Sequence, residues 1–371
     1  MKFDKVVLRI IDMPLKKPFV THLATVKTRK SIIVQVVDED GCSGYGEVVA
    51  FDSPWYTEET VQTAYHMLKD YLIPLVFANQ IEHPAQVTTI FSAIKGNPMA
   101  KAGLETAIWD LYAKRCQQPL AQVIGGTREK VAAGAVVATK NMQDAIKQIE
   151  RFLEQGYQRV KLKINQQMDY QYLKEIRSHF PTLPLMVDAN SSYTLKDIEK
   201  LQALDQFDLL MIEQPLGTSD IVDHAYLQSQ LKTPICLDES ITSFHDAQSA
   251  IQLGSCQVIN IKIGRVGGLQ TAIAIHDLCI SNQVKLWCGG MIEYGISKAH
   301  NLALSSLTGF SIPGDLPAST NYWEEDIIEP EINIDQGYIQ VPTKDGIGFS
   351  INQRRLTEVT SYVETFVGGE S

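Results

Sequence analysis

Five charged residues stand at nearly constant intervals along the middle of the chain. They are Lys163, Asp188, Glu213, Asp238 and Lys262, separated by 25, 25, 25 and 24 residues. Each closes a short apolar run: Val160-Lys161-Leu162-Lys163, Leu185-Met186-Val187-Asp188, Leu209-Leu210-Met211-Ile212-Glu213, Ile235-Cys236-Leu237-Asp238 and Val258-Ile259-Asn260-Ile261-Lys262. The three carboxylates are hard oxygen donors and suit magnesium, with water and substrate oxygens completing an octahedron. A lone strand-end carboxylate more often caps a helix or pairs with Lys or Arg; three at equal spacing favour the metal. The two lysines supply acid/base groups. A divalent cation beside a lysine base is the chemistry for removing a proton next to a carboxylate, because the metal stabilises the enediolate charge where it develops.

The same interval says what positions these groups. One strand, one helix and two loops consume about 25 residues in a βα unit. Buried parallel strands read as continuous apolar runs, and a charge at their C-terminal ends points into the mouth of a (β/α) barrel. The five runs are thus expected as barrel strands two to six. Strands two and six lie opposite in an eight-membered ring, so Lys163 and Lys262 should face each other across the metal. Lys161 shares the face of Lys163, and a second ammonium there should lower the pKa of Lys163; snorkelling from an exposed strand is the alternative. Arg265 is open to two readings, a cation that keeps Lys262 neutral or a loop salt bridge.

Ahead of the barrel, Val6 to Ile11, Ser31 to Val37 and Gly44 to Val49 read as strands, with a turn at Asp38-Glu39-Asp40-Gly41. Helical stretches are expected at about 57–76, 83–95 and 98–115. Residues 1–125 therefore form an α+β module, 126–324 the barrel, and 325–371 a β-like C-terminal segment that packs back on the first module. Val131 to Ala138 is expected as the first barrel strand, Lys285 to Cys288 as the seventh and Phe310-Ser311-Ile312 as the eighth. Helix signals include Gly156 as a stop, a Thr194/Asp197 box and the stretch Ser243 to Leu253.

Composition narrows the function classes. With 371 residues, 44% of them hydrophobic, the chain can bury a large core. A net charge of −10 argues against nucleic-acid and anionic-membrane partners. Six scattered cysteines (Cys42, Cys116, Cys236, Cys256, Cys279, Cys288) show no CxxC pair, and no signal-like or membrane-spanning apolar stretch is present. A cytoplasmic protein, assembled as a homo-oligomer and acting on a small-molecule carboxylate, is expected.

The ordered set Lys161-Leu162-Lys163, Asp188-Ala189-Asn190, Glu213-Gln214-Pro215, Asp238-Glu239-Ser240 and Lys262-Ile263-Gly264-Arg265-Val266-Gly267-Gly268 resembles the muconate-lactonizing subgroup of the enolase superfamily. Trp287-Cys288-Gly289-Gly290-Met291-Ile292-Glu293, followed by Ile312-Pro313-Gly314-Asp315, looks most like its o-succinylbenzoate synthase / N-acylamino acid racemase family. The resemblance covers nearly the whole chain. It implies an α/β fold: a modified (β/α)7β TIM-like barrel under an N-terminal α+β capping domain. It further implies Mg2+, replaceable by Mn2+, on Asp188, Glu213 and Asp238, with Lys163 and Lys262 as the acid/base pair. Lys161, Arg265 and Asn190 would support them, although Asn190 also suits a plain turn. Ile263 departs from the proline common in close relatives.

Pocket residues implied by the family are Phe19 and Tyr56 on the cap loops and Gly290, Met291 and Ile292 on the barrel; ordinary cap–barrel packing is the competing reading for the cap residues. His22 could touch substrate or simply be solvated. Two activities follow from the resemblance: dehydration by o-succinylbenzoate synthase, a step of menaquinone biosynthesis, and racemisation of N-acylamino acids by the same two lysines. Dipeptide epimerisation lacks an evident holder for an α-ammonium group. A catalytically silent binding protein is opposed by the intact set of lysines and carboxylates, and Gly264 to Gly268 lacks the spacing and lysine of a phosphate loop.

Overall fold

The computed structural model describes residues 1–20, 24–139 and 141–368. His22 and Thr21 lie outside the described residues. Three long strands open the chain, β1 (Phe3–Val20), β2 (Thr25–Asp38) and β3 (Ser43–Val48), paired antiparallel in that order. The first two extend well beyond their apolar centres, because Asp12 to Pro14 still pair with Thr28 to Lys30. The helix Pro98–Arg115 packs across this sheet and is buried along most of its length. Its contact with β3 is close because both sides carry glycine. A Cβ on Gly44 would lie 2.1 Å from Ala107 O, and one on Gly46 2.1 Å from Gly103 O.

Two expected helices differ in extent. The first starts at Val61, where the Thr60 side chain accepts from Thr63 N, and runs through one π turn, Leu68–Leu72, to Phe77. The second shrinks to Gln86–Ile90 plus a 3₁₀ turn, Phe91–Ala93. Gly96 and Asn97 beyond it take left-handed backbone angles that turn the chain into the next helix.

The barrel sheet contains seven parallel strands. After β4 (Lys130–Ala132) come β5 (Ala135–Val137), β6 (Val160–Lys163), β7 (Leu185–Asp188), β8 (Ile212–Glu213), β9 (Ile235–Leu237), β10 (Val258–Ile261) and β11 (Lys285–Cys288). β5 to β11 are neighbours in sequence order. Ser243 caps the helix Phe244–Leu253, and Thr194 with Asp197 forms a capping box at the turn preceding Ile198–Ala203.

The expected first and eighth strands need correction. Val131 to Ala138 is broken at Gly134, where the Arg159 guanidinium fills the place a Cβ would occupy, 2.1 Å from its Cζ. β4 leaves the barrel sheet there and pairs antiparallel with the later strand Tyr338–Gln340. Phe310-Ser311-Ile312 is no strand; single bridges, Leu286 to Phe310 and Ala133 to Gly314, close the ring. Pro313 has no amide hydrogen to extend the ladder. Downstream lie β12 (Ile328–Glu329), β13 (Tyr338–Gln340), β14 (Ser350–Ile351) and β15 (Thr360–Val367). β13 joins β4 on the barrel side, whereas β15 pairs with β1 at the edge of the first sheet.

The glycine seam between β3 and Pro98–Arg115 should be intolerant of a methyl group. Gly46→Ala is expected to lose about 1–3 kcal/mol of unfolding free energy, the usual cost of overpacking. Gly217→Ala, where the nearest atom would be Asp220 Cβ at 3.9 Å, should be near neutral. Denaturant titration of both variants checks this; equal stability would mean that the seam relaxes freely.

Candidate active site

Alternation along the strands stacks the barrel interior in two layers. Met186, Met211, Cys236, Val258 and Trp287 form an apolar floor, all buried. Two residues further along three of these strands, on the same face, come Asp188, Glu213 and Asp238, each no more than 1% exposed. The same period gives Arg159, just before β6, and then Lys161 and Lys163 on it. The carboxylates thus sit over low-dielectric packing, with the Lys161 ammonium 5.1 Å from the Trp287 ring centroid.

The ammonium groups answer these carboxylates in pairs. Lys161 Nζ lies 2.9 Å from Asp188 Oδ2, 2.7 Å from Glu213 Oε2 and 3.0 Å from Asp315 Oδ2. Lys163 Nζ lies 2.6 Å from Asp188 Oδ2 and donates to Asn190 Oδ1 at 2.7 Å. On the other side, Lys262 Nζ is 2.9 Å from Asp238 Oδ2 and donates to Tyr56 Oη at 2.7 Å. Arg265 Nη1 is 2.6 Å from Asp238 Oδ1 and 3.2 Å from Tyr56 Oη. Asn260 holds Glu213 by a 3.0 Å hydrogen bond to Oε1.

Burial pushes the Glu213 carboxyl well above the usual range, and the negative charges of Asp188 and Asp238 push it further. Burial acts the same way on Asp188 and Asp238, but their cations win and hold both below the ordinary carboxylate range. The reading in which Arg265 keeps Lys262 neutral is corrected here, and Lys161 behaves in the same way as Lys262. Burial alone lowers Lys161 and Lys262, yet the facing carboxylates, Asp188 for one and Asp238 for the other, raise both well above an ordinary lysine. Arg265 opposes this at Lys262 without reversing it. Its side chain is 2% exposed and sits in the site, bonded also to Ile241 O and Asn260 O.

The structure brings Lys161, Lys163, Asp188, Asn190, Glu213, Asp238, Lys262, Arg265 and Tyr56 together. Gly290 borders the same cluster; a Cβ there would come within 2.7 Å of Asp315 O. Met291 and Ile292 are buried in the core, and Phe19 is half-buried against it, its backbone opposite Val26. Two polar partners had no assigned role in the sequence. Asp315 ties Lys161 to Arg159, whose Nη2 lies 2.8 Å from Asp315 Oδ1. Glu239 accepts from Asn190 Nδ2 at 3.1 Å through Oε1, while its buried Oε2 has no hydrogen bond. The acidic pair Asp238-Glu239 was the only local signal for the latter.

Hard oxygen donors, buried together with one of them forced toward its neutral form, fit a divalent cation. As placed, their oxygens are engaged by ammonium and guanidinium groups. Among the described residues no three His, Cys, Asp or Glu side chains stand as a ready metal cage. A divalent cation there would compete with Lys161 and Lys163 for Asp188 and with Lys161 for Glu213.

Residues 5–125 match the N-terminal domain of the mandelate racemase / muconate lactonizing enzyme family, and residues 144–355 match the enolase C-terminal domain-like family. An o-succinylbenzoate synthase of Bacillus subtilis is 52% identical, over 98% of this chain and 98% of its own length. An N-succinylamino acid racemase of Thermus thermophilus is 41% identical, over 97% and 98%. A crystal structure of an enolase-superfamily member from Listeria innocua superposes with a TM-score of 0.97 at 43% identity, covering 99% of each chain. With both of its domains matched and near-full-length relatives at this identity, the chain belongs to the mandelate racemase / muconate lactonizing enzyme family and is an enzyme of the enolase superfamily.

Proposed function

We propose that the chain is an o-succinylbenzoate synthase. The observation that carries this is the pair Lys163 and Lys262, placed at the ends of the second and sixth barrel strands with three buried carboxylates between them. The relatives from Bacillus and Geobacillus that bear this name match it over nearly their whole length. The substrate is a cyclohexadiene carboxylate with a hydroxyl and a succinyl group. The proposal takes residues 1–125 as the cap, 126–324 as the catalytic barrel and 325–371 as the tail. It also takes the enzyme to be a cytoplasmic homo-oligomer. Among the described residues no helix is long and apolar enough to cross a membrane.

Enzymes of this superfamily use a divalent metal, usually Mg2+. Asp188, Glu213 and Asp238 would hold it, and it would supply Lewis-acid stabilisation of the charge that develops on the substrate carboxylate. Lys163, in its amine form, removes the proton alpha to that carboxylate. The same ammonium then protonates the hydroxyl that leaves from its own face. Asn190 Oδ1 accepts from Lys163 Nζ beside Asp188 and helps to keep that nitrogen aimed. Lys262, cationic beside Asp238, stabilises the developing negative charge electrostatically from the opposite side. Tyr56 and Arg265 fix where that cation sits.

Racemisation of N-succinylamino acids is the second reading. It is favoured by the presence of a lysine on each side and by the racemase relative from Thermus. The two lysines would then exchange the base and acid roles, and both activities can share one site.

Removing the metal tests the ligand assignment. EDTA should abolish activity, and magnesium or manganese should restore it. Asp188→Asn, Glu213→Gln and Asp238→Asn should each weaken metal affinity, read by calorimetry, while circular dichroism stays that of the folded barrel. Full turnover by metal-free protein would overturn the assignment.

Lysine variants separate the two reactions. Lys163→Ala and Lys262→Ala should each lower dehydration by about 100- to 10,000-fold, the usual worth of a positioned acid/base group. In D2O the wild type should exchange the alpha proton of both enantiomers of an N-succinyl amino acid if both lysines are bases. Each variant should then lose exchange with a different enantiomer. Racemisation that survives in Lys262→Ala would eliminate the two-base reading and leave the one-sided dehydratase. Near-normal dehydration by Lys163→Ala would eliminate the proposed mechanism altogether.

A further inference from the structure

A single guanidinium bridges two chain segments that lead to the candidate site. Arg29 lies on β2 and is 1% exposed. Its Nε donates to Ile292 O at 3.1 Å, in the loop after β11. Its Nη1 donates to Ala50 O at 2.6 Å and Lys30 O at 2.5 Å, and its Nη2 to Val49 O at 2.5 Å. The guanidinium carbon stands 4.3 Å from the Phe51 ring centroid. The main chain adds to this, since the Tyr294 hydroxyl donates to Arg29 O.

Nearly every donor of this cation is therefore spent on backbone carbonyls. Among the described residues it forms no direct ion pair; Glu47, Glu293 and Asp12 act on it only from a distance. A buried cation without a contacting counter-ion is costly compared with an apolar side chain. Its rigid fork, however, can bridge segments that an apolar chain or a lysine cannot.

Both bridged segments lead to the site. Val49-Ala50-Phe51 runs on to Tyr56, whose ring centroid is 6.1 Å from that of Phe51 and whose hydroxyl meets Lys262 and Arg265. On the barrel side, Gly290 borders Asp315, the partner of Lys161. Two residues on, Ile292 has φ +58, a left-handed angle that a β-branched residue rarely adopts. Such strain persists only where neighbours over-determine it. Here Arg29 takes the Ile292 carbonyl, Glu293 accepts from Met291 N and from Asn301 Nδ2, and Glu47 accepts from Tyr294 N.

We infer that Arg29 is a positioning residue that locks the cap segment 49–56 to the barrel loop 290–294 and so sets the width of the pocket receiving the body of the substrate, without touching the reacting atoms. The inference rests on the barrel mouth being the active site. An unlocked pocket still contains the lysines and carboxylates, so binding should suffer more than chemistry.

The test compares Arg29→Met and Arg29→Lys with wild type, each also in an Ile292→Gly background. Kinetics are measured on the hydroxycyclohexadiene carboxylate and on an N-succinyl amino acid, and amide hydrogen exchange is followed in segments 49–56 and 290–294. KM should rise by at least about tenfold, the worth of one lost charge-assisted hydrogen bond, with a smaller change in kcat. Lysine should not rescue, because one ammonium cannot span both segments. Exchange should accelerate in both segments together, although they are far apart in sequence. Glycine at position 292 takes a positive φ without strain, so Arg29→Met should cost less in that background. Unchanged KM, rescue by lysine, faster exchange in one segment alone, or equal cost in both backgrounds would each overturn the inference. If Arg29→Met fails to fold, Arg29→Lys keeps the buried charge and gives the same readings. Amide exchange needs no substrate, so a wild type inert toward both compounds would refute the proposed function and still leave Arg29 judged.

Discussion

The Lys161 ammonium lies within 3.0 Å of carboxylates from three separate segments, Asp188, Glu213 and Asp315. Much of the barrel mouth depends on it. Three carboxylates buried over an apolar floor repel one another, and removing one partner of such a cluster costs about 3–5 kcal/mol through the uncompensated charge. Lys161 also explains why the apolar layer beneath is tolerable: the ammonium rests near the Trp287 ring and carries the charge balance above it. A site proposed to hold a divalent cation thus keeps a cation of its own among the proposed ligands. The carboxylates stay gathered instead of swinging apart.

A second constraint is the joint between cap and barrel. Polar groups cross it in both directions. Glu105, on the cap helix, accepts from Leu269 N and Gln270 N at the start of the barrel helix Leu269–Ser281, and Glu47 accepts from Tyr294 N and Ser297 N. Both carboxyls are pushed up to about 7, by burial first of all, which marks how dry the joint is. The order it imposes carries Tyr56, a cap residue, onto Lys262, a barrel residue 206 positions away. The site is therefore completed only when the two domains are docked.

The barrel strands and their terminal charges were legible because one period governs both: strands of alternating faces repeat at the length of a βα unit, so Asp188, Glu213 and Asp238 announce themselves. The ring's closure was not. Gly134 and Pro313 break the ladder through contacts with Arg159 and through a missing amide hydrogen, and neither effect has a periodic signature. The roles of Asp315, Glu239 and Arg29 were also hidden. Each acts through a partner distant in sequence, and a lone Asp, Glu or Arg reads locally as a solvated side chain. Tyr56 was legible as a pocket residue, whereas its bond to Lys262 depends on docking that no local pattern encodes.

The two lysines sit in unequal surroundings, and this bears on which of the two proposed reactions the site favours. The Lys163 side chain is 26% exposed and has one carboxylate and one amide for company. Lys262 is 11% exposed and shares Asp238 with Arg265 under the Tyr56 hydroxyl. As placed, Lys262 is the more enclosed and more fully partnered of the two and Lys163 the more exposed, which suits the proposed dehydration confined to one face. The balance at Lys262 rests on Asp238, and Asp238 is also a proposed metal ligand. A divalent cation held by Asp238 would share that carboxylate with Lys262 and Arg265, so the proposed metal site and the proposed acid/base pair draw on the same group.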